Sequence, residues 1–409
     1  MFQKTSPVLL LAAAALSLGS LAQAFERQPA ARKSGSSSVH WDRRTDTFFF
    51  VGPRYLNQTG LSDRDGTVDA LTVIGHKIRA TTGNWEFEAR PEFRSMLGNS
   101  VGLSASDPAR LSIQPPEGFL PLRFALSEGR PWENYLSLER IYARYHKGGF
   151  QVQAGRSVVS LGVLKVFPIW NRFSRPLPTA WGPSSLIYGR DNVSAKIQLG
   201  DFSFQGLALQ GKDQGQYPEH ARHLEMTWYA ASAGLELHLL AGQWWNIPTF
   251  GFAVAQDISG VTVRTEGLIF ENHLHLGFGL EKAINEKWTL LAEGAFLSDN
   301  TDDYEKYRFQ NDKPYQILRA LGYGYLSMRY KWSDDWFVSG STTFNVADLS
   351  QYLGVRVEYT LNENLELAAS LFGPVGFYDA EFSAESFVFP GKRTIGAPLQ
   401  SSLEMRYFF

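Results

Sequence analysis

Three features are missing from this sequence, and each absence excludes a class of protein. Cysteine does not occur at all, which excludes a disulfide-stapled domain, a cysteine nucleophile and a lipid-modified cysteine. Neither sign of charge is in excess, because 39 Lys and Arg face 41 Asp and Glu. A nucleic-acid-binding protein normally carries a basic patch, so no nucleic-acid partner is expected. Beyond the N-terminus, no apolar run reaches the roughly 20 residues that a transmembrane helix needs.

The N-terminus has the three-part layout of a secretory signal peptide. A charge at Lys4 precedes an apolar run from Val8 to Leu18, and Ala22-Gln23-Ala24 has the A-x-A form of a cleavage site. Because the run is too short to span a bilayer, we predict a cleaved signal peptide over residues 1–24. Residues 25–44 contain the polar stretch RKSGSSS and are predicted to form a periplasmic N-terminal tail.

The rest of the chain, residues 45–409, repeats the order strand, short turn, strand and longer loop. Eight short turns rich in Gly, Asn, Asp or Ser separate the strands. In five of them an aromatic residue follows directly, at Trp85, Phe150, Phe202, Trp288 and Trp336. A tight turn does not require an aromatic residue at a fixed offset, whereas an aromatic girdle at one membrane–water interface does.

Apolar and polar residues alternate along these strands, which indicates two different faces. The C-terminal segment is typical, with Leu403, Met405 and Tyr407 alternating with Glu404 and Arg406. A soluble β-sandwich also alternates, but about ten residues per strand is the length that a tilted strand needs to cross a bilayer. Since lipid offers no partner to the backbone groups of an open sheet edge, such a sheet must close.

We therefore predict an all-β fold, a transmembrane antiparallel β-barrel of about 18 strands, with 16 strands as the alternative. Every short turn follows an even-numbered strand, so the short turns and both termini are expected on the periplasmic side. The strands are expected near residues 47–57, 67–80, 84–96, 134–147, 150–162, 188–199, 202–211, 221–232, 235–246, 249–259, 261–271, 273–284, 288–298, 315–332, 336–347, 351–361, 365–378 and 399–409.

The C-terminus carries the clearest family resemblance. A last strand that ends in Phe409, with Tyr407 and other apolar residues at alternate positions before it, resembles the assembly signal of Gram-negative outer-membrane β-barrels. The resemblance covers the whole mature chain and implies the bacterial outer membrane as location. It also implies outer-membrane lipid, lipopolysaccharide and the barrel-assembly machinery as partners.

A second resemblance covers about a seventh of the chain. The stretch AGRSVVSLGVLKVFPIWNRFSRP, followed by YGRDNVSAKIQLGDFSFQGLAL, is similar to part of porin-like and alginate-export-like barrels. Gly155 and Arg156 match a Gly-Arg-Gln strand of those barrels, but Ser157 stands where Gln is usual, and Leu161 precedes Gly162 where Trp is usual. The resemblance favours a porin and implies no particular solute.

A barrel this wide cannot be filled by side chains and should enclose an aqueous path. The sequence therefore predicts an outer-membrane porin for passive diffusion of small hydrophilic solutes, and it leaves the oligomeric state open. A polysaccharide-export or structural, adhesin-like barrel is the alternative. A hydrolase is less favoured, because the sequence has neither an H-E-x-x-H motif nor a cysteine nucleophile. His273 and His275 share a strand face without an evident third ligand, so no catalytic residue, metal site or cofactor is predicted.

Candidate pore residues come from the inward parity of the strands and from one loop. The loop from Val163 to Ile187 combines many apolar side chains with Lys165, Arg172 and Arg175 and contains no acidic residue. Because loops normally run through water, we expect this one to fold into the barrel, with an ordered cap or a subunit contact as the alternative. Those three cations and Arg190 would then line a constriction that favours anions. The pore-wall candidates are Arg140, Arg144, Arg264, Arg356, Glu358 and Arg406.

Overall fold

The computed structural model describes residues 40–41, 46–56, 58–59, 67–98, 120–129, 132–170, 189–212, 218–230, 233–244, 247–298, 320–375, 387–389, 393–395 and 399–408. The predicted signal peptide and Phe409 lie outside these residues. Among the described residues, no helix has the length and apolar character needed to cross a membrane.

The described chain is built from antiparallel strands. The eighteen long ones are β1 (Asp46–Leu56), β2 (Thr67–His76, continued after Lys77 as Ile78–Thr82), β3 (Trp85–Gly98), β4 (Trp132–Lys147), β5 (Phe150–Ser157), β6 (Arg190–Leu199), β7 (Phe202–Lys212), β8 (Pro218–Ala230), β9 (Leu235–Trp244), β10 (Ile247–Ile258), β11 (Val261–Phe270), β12 (His273–Ala283), β13 (Trp288–Leu297), β14 (Gly322–Lys331), β15 (Trp336–Asn345), β16 (Gln351–Asn362), β17 (Leu365–Val375) and β18 (Leu399–Phe408).

Each long strand pairs with its neighbours in sequence, and the ladder returns to its start. In β18, Tyr407 lies opposite Leu365 of β17 on one side and opposite Thr47 of β1 on the other. The described strands thus form a ring in which the backbone N–H and C=O groups find partners within the sheet, as a sheet in lipid requires. The predicted all-β antiparallel barrel is confirmed, and the part of the chain that the structure describes has eighteen long strands rather than sixteen.

Shorter strands extend the sheet or stand beside it. His40–Trp41, inside the predicted tail, pairs with β2 at Thr81 and Ala80, and the other tail residues lie outside the described part of the chain. Arg123–Gly129 pairs with β4. The strands Gln58–Thr59, Phe387–Phe389 and Arg393–Ile395 form a separate three-stranded sheet.

The two faces of the barrel wall distribute charged and apolar side chains in the opposite way to a soluble protein. On β3, Glu92 and Arg94 are both 0% exposed, whereas Trp85 and Phe87 are 45% and 46% exposed. Charged side chains are almost never fully buried in soluble proteins unless they are paired, and large apolar patches are rarely exposed. A wall with hydrocarbon outside and a polar lumen inside accounts for both observations.

The aromatic residues after the short turns stand at one end of the sheet. Trp85, Phe150, Phe202, Trp288 and Trp336 each open an odd-numbered strand, and in an antiparallel ring these strand starts share an end. Four of the five lie next to an aromatic residue on the adjacent strand: Trp85–Tyr145 at 5.1 Å between ring centroids, Phe202–Trp228 at 6.3 Å, Trp288–Tyr330 at 4.3 Å and Trp336–Tyr359 at 4.4 Å. This agrees with the girdle expected at the periplasmic interface.

Glycine makes two of these short turns feasible. Gly83 precedes β3 by one turn residue and Gly148 lies between β4 and β5, with φ of 55° and 58°. These left-handed values cost glycine nothing, whereas a side chain disfavours them. The tight connections in turn set the register that brings the aromatic residues to the same level.

The outward register of β18 generates a test of the C-terminal assembly signal. Deleting Phe409 is expected to lower the amount of protein inserted in the outer membrane, because the residue follows the described ladder of β18 and continues the outward parity of Leu403, Met405 and Tyr407. Immunoblots of outer-membrane fractions would measure insertion, with Phe409→Tyr as the control that keeps a terminal aromatic ring. Equal insertion of the truncated and full-length chains would contradict the assembly role.

Candidate functional site

Residues 158–170, which follow β5 directly, form what we call the inward segment. Its side chains Leu161, Leu164, Phe167 and Trp170 are buried. They belong to one apolar cluster with wall residues of β7 to β16 and with Ala320: Leu207, Leu209, Ala221, Leu240, Trp244, Ala253, Leu268, Phe270, Ala295, Leu297, Tyr323 and Tyr352. These wall residues have the parity opposite to that of the exposed outer residues, so the segment packs against the inner face of the barrel.

A carboxylate on β11 binds the backbone at both ends of the stretch 163–170 within the inward segment. Glu266 accepts the backbone N–H groups of Val163, of Leu164 at 2.6 Å and of Trp170 at 3.2 Å. The Glu266 side chain is completely covered. Because the acceptor is ionisable and the donors lie outside any strand ladder, these hydrogen bonds satisfy backbone groups that burial would otherwise leave without partners.

A second carboxylate, two strands away on β13, holds the middle. Glu293 accepts the backbone N–H groups of Lys165 and Val166, both at 2.8 Å, and of Phe167 at 3.0 Å. Like Glu266 it is buried on the inner face. Neither glutamate can be recognised as an anchor from the sequence, since each contact joins residues about a hundred positions or more apart.

Glycines in the wall provide the space into which the inward segment fits. A Cβ atom at Gly251 would lie 2.6 Å from Nε1 of Trp170, and one at Gly277 would overlap Leu164. The indole of Trp170 also donates to the carbonyl oxygen of Gly267 at 2.9 Å. Strands β10 to β12 therefore present a groove shaped by missing side chains, which a strand pattern alone does not reveal.

The predicted constriction residues lie in different environments, and two of them lie outside the described part of the chain. Lys165 is half-exposed, and its ammonium group lies 2.6 Å from Glu281 on β12, which also binds Arg264 at 2.7 Å. The loop has no acidic residue of its own, but the fold supplies this counter-charge. Arg190 opens β6 opposite Ser157 and is nearly buried. Arg172 and Arg175 lie outside the described residues.

The predicted wall candidates all face the inner side and take part in ion pairs. On β4, Arg144 lies 3.4 Å from Glu86, and Arg140 lies 3.8 Å from Glu88. On β16 and β18, Arg356 binds Glu404 at 2.7 Å and Glu358 at 2.9 Å, and Arg406 lies 3.1 Å from Glu366. The ion pairs keep charged side chains satisfied in a confined space.

A second charged cluster on β3 and β4 was not predicted. It lies farther from the short-turn end of the barrel than the pairs made by Arg140 and Arg144. Glu92 binds Arg94 at 2.8 Å and Arg90 at 3.0 Å. The register shifts between Arg90 and Pro91, so that Glu139 of β4 is an extra residue opposite them. Such a bulge re-aims side chains, and here both Glu139 and its neighbour Arg140 turn to the inner face.

Arg156, one of the residues that carried the family resemblance, forms a bidentate ion pair with an aspartate. Its guanidinium binds both carboxylate oxygens of Asp191 on β6, at 2.8 and 2.9 Å, and donates to the carbonyl oxygen of Leu120 at 2.6 Å. Asp191 in turn accepts the backbone N–H of Leu120 at 2.7 Å. Both side chains are buried, so this pair fixes the start of the inward segment to β6 and to residue 120.

The two histidines considered as a metal pair belong to an aromatic cluster instead. His275 is buried with its ring centroid 4.8 Å from that of Phe270, and His273 lies 5.7 Å from the same ring. Among the residues that the structure describes, no group of three or more His, Cys, Asp or Glu side chains could hold a metal ion.

The Arg156–Asp191 pair predicts a large loss of stability when it is broken. Asp191→Ala leaves a buried guanidinium without its carboxylate, which should lower the free energy of unfolding by about 3–5 kcal/mol. Urea titration in lipid vesicles, followed by tryptophan fluorescence, would measure it. Asp201→Ala, in the exposed turn before β7, is the control and should change little; equal stability of the two variants would show that the pair does not hold the wall.

Solved structures share this fold. OccK7 (OpdD) of Pseudomonas aeruginosa matches with a TM-score of 0.54 at 10% identity, over 91% of this chain and 99% of that chain. OccAB1 of Acinetobacter baumannii matches with a TM-score of 0.51 at 8% identity, over 90% of this chain and 96% of that chain. No protein-family model and no curated protein matches the sequence. The resemblance inferred from the C-terminal strand is thus confirmed for the architecture: the chain has the fold of a Gram-negative outer-membrane porin.

Proposed function

We propose that this protein is an outer-membrane channel through which small hydrophilic solutes diffuse passively. The observation that carries the proposal is the ring of eighteen strands with an apolar outer face and a charged inner face. A ring of this size encloses more space than its own side chains fill. The porin fold of the structural neighbours supports the same function.

The aqueous path is inferred to run beside the strands that face the inward segment across the lumen. The apolar cluster that contains the segment extends over β7 to β16, whereas the side chains of Arg79, Arg140 and Arg144 on β2 and β4 keep 33%, 20% and 29% of their surface exposed. Charged side chains that stay partly solvated at an inner wall suit a water-filled passage.

The location and partners follow from the same surface. The exposed apolar side chains and the aromatic girdle suit the outer membrane of a Gram-negative bacterium, with lipid around the barrel and small solutes inside it. Lipopolysaccharide at the outer leaflet and the barrel-assembly machinery are further partners of this proposal. It assigns no catalytic residue and no cofactor.

A preference for anionic or saccharide-like solutes is the finer part of the proposal. Cations at a narrow point favour anions. Because Lys165 is neutralised by Glu281, we expect the preference to depend on Arg172 and Arg175 more than on Lys165.

The channel proposal predicts stepwise conductance when the refolded protein is added to a planar lipid bilayer, because each inserted barrel opens one aqueous path. Conductance would be recorded in symmetric salt, with heat-unfolded protein at the same detergent concentration as the control. A barrel that inserts, as judged by protease protection in vesicles, and yet conducts no current would refute a passive channel and favour a structural or adhesin-like role.

The selectivity proposal predicts that Arg172→Glu with Arg175→Glu shifts the reversal potential in a salt gradient toward cation preference, because four units of positive charge are lost near the constriction. The matched control is Lys282→Glu with Lys287→Glu, which makes the same charge change at exposed positions at the short-turn end. A shift no larger than that of the control would mean that these arginines do not set selectivity.

A further inference from the structure

We propose that Glu266 and Glu293 are positioning residues that latch the inward segment against the wall and thereby set the width of the channel. The effect on channel width rests on the proposed channel function. The latch itself does not depend on that function and has its own test by chemical labelling.

The contacts are of a kind that fixes a backbone rather than a side chain. Glu266 receives N–H groups from the start and the end of the stretch 163–170, and Glu293 receives three consecutive N–H groups between them. A carboxyl group offers two oxygens that can each accept more than one such hydrogen bond, and hydrogen bonds to an ionised carboxylate are stronger than neutral ones. A glutamine at either position would offer one oxygen and turn an NH₂ group toward the remaining donors.

The fit of the side chains specifies the same position from a second direction. Leu164 and Trp170 occupy the space left by Gly277 and Gly251 on β12 and β10. Between them, Ala253 of β10 lies opposite Glu266 and is 0% exposed. Because the carboxylates and the glycine groove come from four adjacent strands, β10 to β13, the segment has one seated position and cannot slide along the wall.

The Lys165 side chain provides a contrast within the same segment. Its ion pair with Glu281 is partly exposed and joins a long flexible side chain to the wall, and such pairs contribute little to stability. Glu281→Gln is therefore the matched control, because it removes a wall carboxylate that contacts the same segment through a side chain and accepts none of the segment's backbone hydrogen bonds.

The absence of cysteine from the chain allows a direct measurement of seating. In an Ala253→Cys background the introduced thiol is covered, and its reaction with a membrane-impermeant methanethiosulfonate reagent reports lifting of the segment. Ser194→Cys on the inner face of β6, outside the strands that hold the segment, reports general access to the interior. Labelling would be followed in lipid vesicles, with the barrel's heat-sensitive gel mobility as the check that each variant is folded.

Glu266→Gln with Glu293→Gln is expected to speed labelling at position 253 by about tenfold or more, the factor that 1.4 kcal/mol of lost latch energy produces. Labelling at position 194 should not change, and Glu281→Gln should leave both rates as they are. In bilayers the double variant should show a larger or noisier open-channel current than the parent.

Gly277→Ala tests the same latch without altering a carboxylate, because the added methyl group would displace Leu164. This variant replaces the double variant in the labelling experiment if the double variant does not fold. Unchanged labelling at position 253 in the folded variants, or an equal increase with Glu281→Gln, would overturn the latch. Faster labelling in a barrel whose parent conducts no current would uphold the latch and refute the proposed channel instead.

Discussion

The hydrogen bonds between two wall carboxylates and the backbone of the inward segment organise the interior of this barrel. A chain that leaves a strand and enters a lumen loses the ladder partners of its N–H groups, and burial without replacements is costly. Glu266 and Glu293 supply those replacements. Once the backbone is held there, Leu161, Leu164, Phe167 and Trp170 can complete an apolar core inside a ring that would otherwise be too wide to have one.

That core divides the inner wall into two unlike halves. The strands from β7 to β16 contribute apolar side chains to the cluster that contains the inward segment, and Gly251 and Gly277 make room for it. The strands β3 and β4 instead carry ion pairs such as Arg94–Glu92 and Arg140–Glu88. This asymmetry is confined to the inner face. The outer face of the closed sheet meets lipid all round, so only the side chains that point inward can differ between the two halves.

Charge in this lumen has to be judged by neighbours across strands. Along the chain, Lys165 belongs to a loop without acidic residues, yet Glu281 meets it from β12. The same holds for Arg140 and Arg144. Both are cations of β4, and the neighbouring strand β3 supplies Glu88 and Glu86 as their counter-charges. A local count of charges therefore overstates the field of a single segment, since it omits the counter-charges that closure brings within a few ångströms.

The sequence by itself determined the order of the strands, the end at which the aromatic girdle lies and the inward parity of Arg356 and Arg406. It could do so because turn chemistry and alternation with a period of two are local properties of the chain. It left the number of strands at about eighteen with sixteen as the alternative, and it extended the strand that begins at Phe150 to residue 162, whereas the strand ends at Ser157. Only the tertiary structure decided where the inward segment rests, that Glu266 and Glu293 hold it, and that Gly251 and Gly277 make room for it. Those contacts depend on which strands the closed ring brings together, and no local pattern encodes a pairing between residues about a hundred positions apart.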